Sequence, residues 1–151
     1  MKKITTIFFV FILLNMSVFP AYGIEPEDLQ SRSAILINAD DGRVLFEKNA
    51  NDKMQPASIT KIMLMVLISE RMRDGLITPD QEMTISENAA GMGGSQIYLE
   101  AYEVQTVENM LKAISMRSAN DASVAMAEFM YGSEESCVKA MNEKAKELGM
   151  N

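Results

Sequence analysis

The order of apolar and polar positions predicts a β-hairpin in the first part of the folded chain. Residues 33–38 form an apolar run with polar ends and predict a strand, and residues 43–48 predict the returning strand. The Asp-Asp-Gly turn at 40–42 lies between them. A two-stranded hairpin is marginal alone, so we expect a sheet with further strands, although none is expected after about residue 100.

Helical periodicity dominates after a polar loop at 49–57, which contains Pro56. A helix beginning at Ser58 is apolar nearly all round, which is typical of a helix in the middle of a domain, and Gly75 is its expected C-cap. A short strand is expected at 83–85, followed by an irregular glycine-rich stretch at 86–95. Three more helices are expected: from Thr106 to about Met116, from Asn120 or Asp121 through Met130, and from Ser133 to Gly149.

The amino terminus has the pattern of a secretory signal peptide over residues 1–23. Two lysines precede an apolar run at 7–14, and small residues stand at Ala21 and Gly23, after which we expect cleavage. An uncleaved membrane anchor is the alternative, but the run is short beside the roughly 20 apolar residues of a spanning helix. The pattern therefore predicts a protein exported across the cytoplasmic membrane, with residues 24–151 forming one α+β domain.

Composition excludes several classes of chemistry. The sequence contains no histidine, which excludes Ser-His-Asp, Cys-His and His-zinc mechanisms, and its single cysteine excludes an intramolecular disulfide. The net charge of −7, with no basic block, makes the chain a poor candidate for binding nucleic acid. We expect neither a metal nor an organic cofactor.

One pair of residues carries a candidate reaction without histidine. Ser58 and Lys61 are three residues apart, so on a helix their side chains share a face. A serine hydroxyl needs a neighbouring base, and a lysine amine can serve where its surroundings disfavour the charge. The alternative is that Ser58 only caps the helix. The same spacing recurs at Ser136 and Lys139, which we interpret as coincidence within an amphipathic helix.

A second candidate element, Ser118-Ala-Asn120, falls at the junction between two expected helices. Such a junction can present both side chains to a cleft. The alternative is that Asn120 is the N-cap of the following helix. The Ser-x-Asn pattern also occurs at Ser86 and Asn88, so the tripeptide alone is weak evidence.

The chain resembles the amino-terminal part of the serine-type D-Ala-D-Ala carboxypeptidases, the low-molecular-weight penicillin-binding proteins. Matching segments occur in the same order through most of residues 31–151: 34–38, 42–45, 56–63, 94–95, 118–123, 141–142 and 146–149. The family signature includes Ser-x-x-Lys and a Ser-x-Asn element. The resemblance implies a partial β-lactamase/DD-peptidase-like transpeptidase fold, in which a hairpin and a helical lobe are present.

The resemblance also assigns roles to the candidate residues. Ser58 resembles the acylated nucleophile, and Lys61 resembles its general base. Ser118 resembles the hydroxyl that relays a proton toward the leaving group, and Asn120 resembles the side chain that holds the substrate backbone and orients Lys61. The implied substrate is a peptidoglycan stem peptide ending in D-Ala-D-Ala, β-lactams are the implied inhibitors, and the implied place is the outer face of the cytoplasmic membrane.

One family element does not occur in these 151 residues. Lysine followed by Thr-Gly is found nowhere in the sequence, so we expect an incomplete catalytic domain that lacks the closing strands of its sheet. A catalytically silent module that binds penicillin or peptidoglycan is therefore an alternative to the enzyme. A third interpretation is that the chain is a relative of the class A β-lactamases. The Ser-Ala-Asn element at 118–120 and the lack of a glutamate loop in these residues disfavour it.

Overall fold

A computed structural model describes residues 23–150 of the chain. The predicted signal peptide therefore lies outside the described residues, except for Gly23. The chain divides into two compact units, one ending at Met54 and the other beginning at Gln55. The extent of the domain, expected to be 24–151, stays a prediction.

The first unit is built on the predicted hairpin. Strand β1 (Ala34–Ile37) pairs antiparallel with β2 (Val44–Lys48). Gly42 has a φ of +70°, a conformation that glycine adopts without a side-chain clash, so the chain can reverse there. A short 3₁₀ turn, Pro26–Asp28, precedes the hairpin. Three apolar side chains of β1 are more than half exposed: Ile35 at 58%, Leu36 at 56% and Ile37 at 53%.

The second unit begins with the helix that carries the candidate chemistry. Helix α1 (Thr60–Arg73) starts two residues later than predicted, because Ala57–Ile59 form a 3₁₀ turn. The C-cap is Asp74, one residue before the predicted Gly75, which follows it with a φ of +71°. The helix buries one face (Leu64, Leu67 and Ile68), whereas Ile62 on another side is 57% exposed.

A second two-stranded sheet corrects one expectation. Strand β3 (Glu82–Thr84) pairs antiparallel with β4 (Val104–Thr106), so a strand does follow residue 100. The last residue of β4, Thr106, also caps the following helix, so the sequence there indicated only the start of a helix. The stretch expected to be irregular also contains a short helix, α2 (Glu87–Ala90), whose N-cap Ser86 accepts a hydrogen bond from the Ala89 N–H at 2.9 Å.

The three remaining helices confirm the predicted order. They are α3 (Val107–Arg117), α4 (Asn120–Tyr131) and α5 (Glu134–Glu147). Thr106 and Ser133 cap α3 and α5 through their hydroxyl groups. Helix α4 packs against α1, α2, α3 and α5. Its buried side chains supply much of the core: Asp121, Ala122, Val124, Ala125, Met126, Ala127 and Met130.

None of the helices within residues 23–150 combines the length and the apolar character needed to cross a membrane.

Candidate active site

Ser58 lies at the exposed entrance to α1, in the middle of the 3₁₀ turn. The preceding residue, Ala57, has a φ of +46°, a left-handed conformation that is costly for a residue with a side chain. The Ser58 hydroxyl does not cap α1: its N-cap is Ile59, without a side-chain cap bond. Instead Ser58 Oγ accepts a contact from Lys61 Nζ at 3.4 Å, so the capping alternative for Ser58 is not what the structure contains.

Lys61 lies one turn further along α1 and is half-buried. Its Nζ has two polar partners, Ser58 Oγ at 3.4 Å and Asn120 Oδ1 at 2.7 Å. The second contact is the shorter one and joins residues 59 positions apart in the sequence. It therefore fixes the end of a long flexible side chain next to the serine.

Asn120 is the first residue of α4, and both ends of its side-chain amide are used. Oδ1 accepts from Lys61 Nζ, and Nδ2 donates to the Gly93 carbonyl oxygen at 2.7 Å. Because Lys61 Nζ donates to the amide and the Gly93 carbonyl accepts from it, these partners determine which amide atom faces each side. The N-cap of α4 is Ala119, so the structure does not contain the alternative in which Asn120 is the N-cap.

Ser118 ends α3 at the predicted junction. It is half-buried and takes a left-handed conformation with φ +54° and ψ +36°. Within residues 23–150, no hydrogen bond joins its hydroxyl to Ser58 or Lys61. The structure thus joins Ser58, Lys61 and Asn120 in one chain of contacts, and the part of Ser118 stays a prediction.

Asp121 supports this site, and sequence reasoning did not single it out. It is the only fully buried charged side chain in the described part of the molecule. Its carboxylate accepts backbone N–H bonds from Ile97 at 3.1 Å, Leu99 at 3.1 Å and Ala122 at 2.9 Å. An acidic residue in the first turn of a helix is common, so nothing local indicated a partner more than 20 residues away. Asp121 ties segment 97–99 to the start of α4.

A cleft of about 330 Å³ opens beside Lys61 and Asn120. Its walls are largely apolar and include Leu64, Val124, Cys137 and Met141. Burial raises the pKa of the Cys137 thiol, which keeps this sulfur protonated near neutral pH. The cleft therefore places a polar edge, formed by the lysine and the asparagine, next to an apolar surface.

The second Ser-x-x-Lys pair has a different environment. Ser136 lies in the first turn of α5, where its hydroxyl accepts from Ser133 Oγ at 2.9 Å. No hydrogen bond joins Ser136 to Lys139 among the described residues, which agrees with the interpretation of this pair as coincidence. No group of three or more acidic or cysteine side chains within 23–150 is arranged to hold a metal ion.

Comparison with known proteins identifies relatives of this sequence. The model of the D-alanyl-D-alanine carboxypeptidase family (peptidase family S11) matches residues 21–151. The D-alanyl-D-alanine carboxypeptidase DacF of Bacillus subtilis is 56% identical over 121 residues, which are 80% of this chain and 31% of DacF. The chain spans about a third of the length of the curated relatives it matches.

Solved structures agree with the described fold. The D-alanyl-D-alanine carboxypeptidase DacD from Francisella tularensis matches with a TM-score of 0.77 and 32% identity, over 91% of this chain and 34% of that one. Penicillin-binding protein D2 from Listeria monocytogenes, solved in an ampicillin-bound form, matches with a TM-score of 0.70 and 26% identity, over 80% of this chain and 47% of that one. The two units are thus similar to parts of larger structures.

Proposed function

Because the chain belongs to the D-alanyl-D-alanine carboxypeptidase family, we propose that the protein carrying it removes the terminal D-alanine from peptidoglycan stem peptides. The substrate ends in D-Ala-D-Ala, and the products are free D-alanine and the shortened peptide. The observation that carries the proposal is the chain of contacts from the Ser58 hydroxyl through the Lys61 amine to the Asn120 amide, at 3.4 and 2.7 Å.

In the proposed acylation step, Ser58 Oγ attacks the carbonyl carbon of the terminal peptide bond. Neutral Lys61 accepts the hydroxyl proton, a role that a lysine can take where histidine is absent. The C–N bond then breaks, and the proton passes through the Ser118 hydroxyl to the departing amine of D-alanine. An ester on Ser58 remains, and the Ser58 N–H, at the start of a helical turn, is one donor toward the transient oxyanion.

In the second step, water attacks the ester carbonyl while Lys61 accepts the water proton. The bond to Ser58 Oγ breaks, the oxygen recovers that proton from Lys61, and the shortened peptide leaves as a carboxylic acid that releases its remaining proton to solvent. Asn120 holds Lys61 through both steps and contributes a hydrogen bond to the substrate backbone. Each of these roles is assigned to a residue of this chain, and the proposed chemistry uses no cofactor.

β-Lactams are the proposed inhibitors, because attack of Ser58 on the lactam carbonyl would form the same kind of ester. The proposal is supported by the penicillin-binding proteins among the similar structures, one of which was solved with ampicillin bound. The proposed place of action is outside the cytoplasmic membrane, at the cell wall, which the signal-like residues 1–23 favour.

The test compares two serines that share the same spacing to a lysine. The protein is expressed with whatever sequence follows Asn151 in its natural reading frame, then incubated with a fluorescent penicillin and with a diacetyl-Lys-D-Ala-D-Ala peptide. Ser58→Ala is expected to abolish labelling and D-alanine release, whereas Ser136→Ala is expected to leave both within about twofold.

Each possible result has a defined meaning. Label that persists in Ser58→Ala, or that maps to Ser136 or Ser118, contradicts the assignment of the nucleophile. Label on Ser58 without D-alanine release identifies a silent penicillin-binding module instead. Rapid release of hydrolysed penicillin without peptide turnover identifies a β-lactamase.

A further inference from the structure

We propose that Gly94 is a positioning residue for the reaction, because its lack of a side chain lets the Asn120 amide reach Lys61. The inference rests on the proposed function for its effect on rate, but its structural part can be tested without activity. It concerns the loop formed by residues 91–95. Residues 94–95 of this loop resemble the family, but none of the candidate catalytic motifs includes them.

The loop approaches Asn120 unusually closely at Gly94. A Cβ atom built on Gly94 would lie 2.8 Å from Asn120 Nδ2, a separation that real Cβ atoms essentially never show. The φ of Gly94 is also +82°, which disfavours any residue with a side chain. Gly94 is the only described glycine that combines a positive φ with such a contact.

The Asn120 amide cannot move away from a Cβ atom at position 94 without weakening a hydrogen bond. Nδ2 donates to the Gly93 carbonyl at 2.7 Å, and Oδ1 accepts from Lys61 Nζ at 2.7 Å. Rotating or withdrawing the amide to avoid a Cβ atom would lengthen at least one of these bonds. A side chain at position 94 can therefore weaken the contact between Asn120 and Lys61 without contacting Lys61 or Ser58 itself.

Other hydrogen bonds fix the position of the loop itself. The Ser95 carbonyl accepts from the Asn120 N–H at 2.7 Å, and Ser95 Oγ donates to the Arg117 carbonyl at 2.6 Å. Two residues further, Asp121 binds the Ile97 N–H at 3.1 Å. Because backbone contacts fix the loop while Nδ2 ends a side chain, we expect Asn120, and not the loop, to move.

The chain offers a matched control for the backbone strain. Gly132 has a φ of +80°, almost the same as Gly94, but a Cβ atom there would meet nothing within 4 Å. Gly132→Ala therefore imposes the same kind of strain without the clash.

The structural readout is the side-chain amide signal of Asn120 in protein labelled with ¹⁵N-asparagine and expressed in its natural reading frame. The signal is identified by its loss in Asn120→Asp. Gly94→Ala is expected to shift it, while Gly132→Ala leaves it in place. The functional readout is the acylation rate with a fluorescent penicillin, expected to fall at least about 10-fold in Gly94→Ala relative to Gly132→Ala, because displacing a catalytic group by about 1 Å can cost about 100-fold.

The outcomes separate this inference from the proposed function. An unshifted Asn120 signal in Gly94→Ala, or an acylation rate within about threefold of Gly132→Ala, overturns the positioning role. If the parent protein itself is not acylated, the proposed function fails, and the Asn120 signal alone decides whether Gly94 fixes the amide.

A further variant covers the case in which Gly94→Ala does not fold. In an Asn120→Ala background the atom that would clash with a Cβ atom at position 94 is absent. Adding Gly94→Ala to that background should therefore lower Tm only as much as Gly132→Ala lowers the Tm of the parent. A double variant that also fails to fold, or that loses clearly more Tm, overturns the inference.

Discussion

Removing the Asp121 carboxylate should destabilise the second unit more than any surface substitution. The side chain is fully buried and accepts N–H groups of Ile97, Leu99 and Ala122 at 2.9–3.1 Å. In Asp121→Ala these donors lose their acceptor, and each buried donor left unpaired costs about 1–3 kcal/mol. Because water can enter part of the space left behind, we expect a total loss of about 3–6 kcal/mol in the free energy of unfolding.

Asp121→Asn gives a graded comparison. The amide keeps one oxygen acceptor, but its NH₂ group faces backbone donors. We therefore expect about half of the Asp121→Ala loss in the free energy of unfolding, roughly 1.5–3 kcal/mol. Asp74→Asn is the control: it changes the same residue type where the carboxylate is about half exposed and pairs with Arg73 at 2.9 Å. Exposed pairs contribute little, so the control should lie within about 0.5 kcal/mol of the parent.

Urea unfolding of the parent and the three variants measures these differences. The penicillin acylation rate of the folded Asp121→Asn variant should also fall, because the segment beside Asn120 loses an anchor, whereas Asp74→Asn should acylate normally. An Asp121→Ala variant within about 1 kcal/mol of Asp74→Asn would show that the carboxylate is not the anchor its contacts indicate.

Three further predictions test the lysines and the cysteine. Lys61→Arg should abolish acylation because an arginine stays protonated and cannot accept the serine proton, and a rate within tenfold of the parent would exclude lysine as the base. Burial raises the pKa of the Cys137 thiol, so iodoacetamide at pH 8 should alkylate it much more slowly in folded than in urea-unfolded protein; similar rates would contradict the burial. Hydrogen bonds to Glu147 and Glu70 raise the pKa of the Lys144 ammonium above its ordinary 10.5, so its stabilisation is complete below that pH and is lost as the pH rises through the higher folded value. The Tm difference between the parent and Lys144→Met should therefore be larger at pH 7 than at pH 11, and an equal difference would refute the ionic origin.

The helices were predictable because their signals are local. Thr106 and Ser133 are hydroxyl caps directly before apolar periodicity, and Gly132 ends α4 in a left-handed conformation. Strand β4 was missed because its last residue, Thr106, is also the N-cap of α3 and was interpreted only as a cap. Local patterns thus located the helices, but they failed at Thr106, a residue that belongs to a strand and also caps a helix.

The site was only partly predictable for a related reason. The spacing of Ser58 and Lys61 places them on one turn, and the structure keeps them 3.4 Å apart. The contact from Lys61 to Asn120 crosses 59 positions, and no pattern in a single sequence encodes it; the family resemblance alone suggested it. The close approach of Gly94 to Asn120 depends on tertiary packing and had no sequence signal at all.

Two neighbouring residues at the start of α4 have different roles: Asn120 contacts Lys61, and Asp121 anchors segment 97–99. Successive residues of a helix point about 100° apart, so Asn120 can face Lys61 while Asp121 is buried against segment 97–99. That segment follows the loop whose Gly93 carbonyl holds the Asn120 amide, so anchoring one residue also positions the other. Stability and reactivity are therefore coupled at this helix terminus: a substitution of Asp121 will lower activity without touching a reacting atom. Activity loss in an Asp121 variant identifies a catalytic group only when it exceeds the loss in a variant of equal stability.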